Sequence, residues 1–124
     1  MVKVIMGVKG SGKTKYMVET INDAVNTESG HIVCIERGSK LVYDIKSSVR
    51  LVEACDYPIG GYNYLRGFVS GLHAGDYDIT HIFIDSLYKI SCIDRRKKLY
   101  IIICAKQPLI AILHDQQFCS YIAE

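Results

Sequence analysis

Eight residues near the start of the chain, Gly7 to Thr14 (GVKGSGKT), restrict what it can fold into more than any other stretch of its 124 residues. They fit G-x-x-x-x-G-K-[ST], with Gly7, Gly12, Lys13 and Thr14 at the fixed positions, a pattern whose backbone wraps around an anion. Glycine is needed where consecutive N–H groups turn towards one point, because a Cβ would block either the dihedrals or the anion's approach. Gly10 adds another permissive position, and the backbone from Lys9 through Gly10, Ser11 and Gly12 to Thr14 would supply the donors. Lys13 offers a mobile point charge to the outer phosphates of a polyphosphate, and the Thr14 hydroxyl is the hard oxygen ligand that Mg²⁺ prefers. At ordinary residue usage such a match arises by accident in roughly a few chains per thousand of this length.

The flanks decide whether the match carries weight. Val2 to Met6 is a short apolar run broken only by Lys3, as expected of an inner parallel strand. From Lys13 onward, Met17, Ile21, Ala24 and Val25 recur at helical spacing and make one apolar stripe. A helix there aims its positive end at the glycine-rich turn.

Further along, Asn26 to Gly30 reads as a stop and His31 to Glu36 (HIVCIE) as a second buried strand. Glu36 and Arg37 then emerge at that strand's carboxyl end, where ligands sit in open α/β sheets. Ser39 to Lys46 predicts a short helix, and Val49 to Ala54 alternates apolar and charged residues like a strand near an edge. Tyr62 to His73 carries Leu65, Phe68, Val69 and Leu72 at helical spacing, with Gly67 and Gly71 suggesting close packing against a sheet. Ile79 to Asp85 (ITHIFID) is a buried strand tipped by an acid, which serves either as a magnesium-shell carboxylate or as a cap for a following helix. Leu87 to Lys98 is just long enough for the crossover that a parallel return requires. Tyr100 to Ala105 (YIIICA) reads as a central strand, and Pro108 opens either a last helix or a connection to another strand near Phe118 to Ile122.

Composition narrows the class. A hydrophobic share of 49% with 23% charged residues is that of a globular chain forming one domain over residues 1–124, able to bury a core. No run approaches the roughly 20 apolar residues of a membrane span, and the first strand follows the amino terminus directly, which predicts a cytoplasmic protein. The five cysteines, Cys34, Cys55, Cys92, Cys104 and Cys119, form no C-x-x-C pair and read as packed thiols of a reducing compartment. The four histidines are scattered, and His31 and His81 read as solvated positions at strand openings. A net charge of +2 gives no argument for nucleic acid, and the one basic cluster, Arg95 to Lys98, reads as a solvated helix end.

GVKGSGKT after a strand, with HIFID downstream, resembles the P-loop nucleoside-triphosphatase superfamily. Within it the chain is similar to minimal recombinase-like or additional-strand ATPases of the small bacterial ATP-binding type. The resemblance implies an α/β, three-layer P-loop NTPase fold with a mostly parallel five-stranded sheet flanked by helices. It also implies that the strand ending at Ala105 lies between the cradle strand and the Asp85 strand. It further implies ATP or another nucleoside triphosphate held on Gly7, Lys9, Gly10, Ser11, Gly12, Lys13 and Thr14, with Mg²⁺ held by Thr14 and Asp85.

One feature departs from the additional-strand pattern, and another fits the recombinase-like one. Many additional-strand ATPases carry a glutamate directly after the Walker B aspartate, and this chain has Ser86. Recombinase-like members place a glutamate at the end of the second strand, which makes Glu36 the candidate water-orienting base beside Lys13. Lys106 and Gln107 are candidate γ-phosphate sensors, and Arg37 or Arg66 a candidate arginine finger acting in cis or across a homo-oligomer or partner interface. The expectations are an Mg²⁺-dependent ATPase or, as the alternative, a slow or non-hydrolysing nucleotide switch. The absence of a C-x-x-C lasso and of N-K-x-D weakens thymidine-kinase and G-protein readings.

Overall fold

The runs rich in valine and isoleucine become strands because branched side chains pack well on a pleated, buried surface. In the computed structural model, which describes residues 2–7, 10–86 and 98–104, β1 spans Val2–Gly7, α1 Lys13–Thr27, β2 His31–Glu36 and β3 Arg50–Glu53. They are followed by a 3-10 turn at Ala54–Asp56, then α2 at Tyr62–Gly75, β4 at Ile79–Ile84 and β5 at Lys98–Cys104. The strands form one sheet in the order β1-β5-β4-β2-β3. Among the described residues no helix is long and apolar enough to cross a membrane.

The strand directions correct the expected architecture. Among the described residues parallel pairing is confined to three strands, β4-β2-β3, and β5 runs antiparallel to both of its neighbours. This is not the three-layer P-loop NTPase fold with a mostly parallel five-stranded sheet. β5 does lie between β1 and β4, yet in the opposite sense. Lys98 pairs with Gly7 and Ile101 with Ile84, so β5 starts at the end of the sheet where β4 finishes. A parallel return takes about a dozen residues or more. Lys98 already belongs to β5, and residues 87–97, expected as the crossover, lie outside the described residues. Among the described residues β1 is correspondingly an outer strand paired only with β5, not the inner parallel strand its apolar run suggested.

The core sits under α1. Met17 and Ile21 lie one and two turns beyond Lys13 and pack with Ile32, Cys34, Leu41, Ile45, Val49 and Phe83. Cys34 and Phe83 are register partners on β2 and β4, and alternation along a strand puts both on one face of the sheet. The same alternation puts Glu36 on the face of Cys34 and Asp85 on that of Phe83.

The stretch 37–49 crosses this core without a helix, contrary to the one expected at Ser39 to Lys46. Its backbone closes two isolated turns, with the N–H groups of Asp44 and Ile45 both donating to Leu41 O and the Val49 N–H donating to Lys46 O. Leu41, Ile45 and Val49 point into the core. Asn22 of α1 holds the outside, donating to Asp44 O at 3.0 Å and accepting from Lys46 N at 3.3 Å. Tertiary bonds replace helical ones here.

β3 lies at the sheet edge, as its alternation predicted. α2 buries Leu65 and Val69, but its glycines do not mark close packing. A Cβ added at Gly67, Gly71 or Gly75 would meet nothing within 4 Å. They face a groove of about 640 Å³ between α2 and the amino ends of β2 and β4.

Gly30, just before β2, is tight instead. A Cβ there would lie 2.7 Å from Asp78 O and 2.0 Å from Thr80 Cγ2, next to the register shift between His31 and Ile32. The Thr80 side chain can turn away, but the carbonyl cannot. Gly30→Ala is therefore expected to cost about 1–3 kcal/mol, read as a lower urea midpoint. An unchanged midpoint would mean that β2 and β4 do not approach this closely.

Candidate functional site

Two left-handed glycines set the opening of α1. Gly10 and Gly12 both have φ of +81°, a region that costs an L-residue about 1–2 kcal/mol. A Cβ at either position would meet nothing within 4 Å, so the dihedral and not crowding demands glycine. Gly12 is the N-cap, no side chain caps the helix, and its first turn contains no acid. A helix start ordinarily has a Ser, Thr, Asp or Asn cap, and anions complement its positive end. Here a local rule is broken, and the start of α1 lacks the side-chain cap that helix starts ordinarily have.

Lys13 begins the buried stripe that continues through Met17 and Ile21. It is only 7% exposed, and its Nζ donates to Ser11 Oγ at 3.0 Å. Burying an ammonium costs free energy unless polar groups compensate, and the turn supplies one from two residues upstream. Thr14 follows in the first turn with an exposed side chain, and Gly7 closes β1. Lys9 lies outside the described residues. The remaining cradle residues, Gly7, Gly10, Ser11, Gly12, Lys13 and Thr14, thus lie between the carboxyl end of β1 and the first turn of α1.

The two acids lie at the same end of the sheet. β1 and β4 both oppose β5 and therefore point the same way, and β2 is parallel to β4. Asp85 directly follows β4, and its N–H donates to Ile35 O at 2.9 Å, which carries the β2–β4 pairing one step further and brings it beside Glu36. Glu36 is buried, at 3% exposure, and its Oε1 accepts the Leu41 N–H at 3.3 Å. Burial raises its proton affinity above the usual carboxylate range, the Leu41 N–H opposes that, and the Asp85 carboxylate adds to it. Behind them, burial first and the two acids second push the Cys34 thiol up, which keeps it protonated and inert. Ser86 has φ of +55°, an uncommon conformation for a residue with a Cβ, and its hydroxyl donates to Asp85 Oδ1 at 3.2 Å.

The other sequence candidates divide. Arg37 is exposed after β2 and Arg66 half-buried on α2. Lys106 and Gln107 lie outside the described residues, as do Arg95 to Lys97, whereas Lys98 opens β5. No family model, curated protein or solved structure matches this chain.

Sequence reading missed a second cluster, at the opposite end of the sheet. His31, at the start of β2, and Asp76, before β4, meet with Nδ1 2.6 Å from Oδ2. His81 does not open β4 but lies two residues inside it, half-buried, with its ring stacked 6.0 Å from that of Phe83. The hydrogen bond that the protonated His31 ring donates to the Asp76 carboxylate raises the His31 pKa, and the same bond lowers that of Asp76. His31 therefore contributes stability at pH below its unfolded value and loses the contribution as pH rises through its folded pKa. Asp76 contributes above its unfolded value and loses the contribution on acidification. An NMR titration should place the His31 midpoint above 6.5, falling back in Asp76→Asn; equal midpoints in the two proteins would remove the pair.

Proposed function

We propose that this chain binds a nucleoside triphosphate, with ATP as the simplest case, and hydrolyses it in a magnesium-dependent reaction at the junction of β1 and α1. The observation that carries this reading is the opening of α1: two left-handed glycines, no side-chain cap, and a buried lysine in its first turn. Backbone N–H groups of the turn and the end of the helix suit an anion of high charge. Lys13 would neutralise the outer phosphates as a point charge. Thr14 and Asp85 are the oxygen donors that would hold Mg²⁺, which would supply charge neutralisation at the phosphates. Glu36, with its raised proton affinity, would orient and deprotonate the attacking water. Catalysis would rest on positioning and charge stabilisation. Such a protein with free thiols at Cys34 and Cys55 belongs in the cytoplasm.

One observation favours the alternative, a slow nucleotide-dependent switch. Glu36 is engaged by the Leu41 N–H, and Ser86 stands where many such ATPases have a glutamate. On that reading a subunit or partner contributes an arginine that raises turnover.

Calorimetric titration with Mg·ATP, followed by phosphate release, tests both. Saturable heat with release that falls at least about a hundredfold in Glu36→Gln supports hydrolysis with Glu36 as base. Saturable heat with negligible release supports the switch, and release unaffected by Glu36→Gln removes Glu36 from the chemistry. The absence of any heat with triphosphate would overturn the proposal.

A further inference from the structure

The end of the sheet remote from the cradle carries a second set of chemically competent side chains. His31 opens β2, and Asp76 and Asp78 lie in the turn that leads into β4. One ligand atom from each of the three falls within 4.8 Å of the other two. The main chain fixes this arrangement: the His31 N–H donates to Asp78 O at 2.8 Å, and His31 pairs with Ile79 in the β2–β4 register. The Asp78 N–H donates to Asp76 Oδ1 at 3.0 Å.

An independent feature adjoins the cluster. The groove beneath α2 holds about 640 Å³, and His31 and Asp76 form part of its wall together with Val33, Phe68, Leu72 and Ile79. The glycines of α2 leave this space open, since a Cβ at each would meet no atom within 4 Å. A concave, largely apolar space with a few convergent polar groups is the usual form of a small-ligand site. One imidazole nitrogen with two carboxylates is a donor set for divalent first-row transition ions, because imidazole suits these metals whereas Mg²⁺ and Ca²⁺ take oxygen. Three protein ligands leave coordination positions for water or a bound molecule.

We propose that His31, Asp76 and Asp78 form a binding site for a divalent first-row transition ion at the wall of the groove between α2 and β2. The site is separate from the Gly7–Thr14 turn and does not depend on the nucleotide reading. Binding needs the neutral imidazole, so the ion displaces the proton that His31 shares with Asp76.

The test is calorimetric titration of EDTA-stripped full-length protein with Zn²⁺ in the presence of excess Mg²⁺, alongside NMR of the histidine ring signals. The expected result is one equivalent bound with a dissociation constant in the micromolar range or tighter, a shift of the His31 ring signal, and unchanged binding in Lys13→Ala. His31→Ala and Asp78→Asn should each weaken binding at least tenfold. Asp78→Asn keeps the size of the side chain, so it stays informative should His31→Ala fail to fold. Binding weaker than millimolar would overturn the proposal. So would zinc binding that either variant leaves intact, or zinc that leaves the His31 signal unmoved, since both would assign the ion to thiols elsewhere.

Discussion

Lys13→Ala should abolish most triphosphate binding and turnover while leaving the fold in place. Removing one charged hydrogen-bond donor from a polyphosphate costs about 1.5–3 kcal/mol, or roughly ten- to a hundredfold in affinity, and loss of a preorganised charge in the transition state costs about 10²–10³ in rate. The buried position of Lys13 makes the separation from stability clean. The residue is 7% exposed and its ammonium is hydrogen-bonded to Ser11, so alanine relieves a desolvation cost while losing stem contacts. The urea midpoint should stay near that of the parent, with a net change of about 1 kcal/mol or less. Affinity for Mg·ATP that survives in Lys13→Ala would show that the cradle is a structural turn. Collapse of the midpoint would instead assign the lysine to the core.

Phe83→Ala should have the largest effect on stability. Phe83 is fully buried, pairs in register with Cys34, and packs in the cluster that includes Met17 and Ile21. Truncating a buried phenylalanine costs about 3–5 kcal/mol, against a total of about 5–15 kcal/mol for a domain of this kind. Asp85 stands two residues further along the same face, so loosening β4 should also weaken any metal-dependent step. Phe83→Leu keeps most of the volume and should lose about 1.5 kcal/mol or less, which separates packing from an aromatic requirement. A midpoint shift under about 1 kcal/mol in Phe83→Ala would mean that α1 does not cover β4.

The elements that sequence reading located share a strong local signal. His31 to Glu36 is a β-branched run between a glycine and a charged pair, and β2 occupies those residues. Helix α1 starts at Lys13, where the motif ends and a 3.6-residue stripe begins. The carboxylates Glu36 and Asp85 were legible as strand tips because an acid that ends an apolar run is conspicuous. Other features had no local signal. Ser39 to Lys46 shows helical spacing of Leu41 and Ile45, yet core burial and Asn22 use that spacing in a turn. Gly67 and Gly71 suggested tight packing, but whether a glycine faces a wall or a groove depends on the element opposite. Asp76 and His31 are 45 positions apart, and nothing near either one announces the other.

By itself the sequence determined the glycine-rich turn, the helix behind it, and four of the strands to within one residue at either end. Those properties follow from side chains acting over a few residues: positive φ, periodicity, charge and burial preference. Only the tertiary structure decided that β5 runs against β1 and β4, that Glu36 stands beside Asp85, that Leu41 occupies the Glu36 carboxylate, and that His31 meets Asp76. The physical reason is that an apolar run buries equally well pointing either way along a sheet. Its direction is set by where the preceding connection delivers it, and contacts between distant segments follow from that placement.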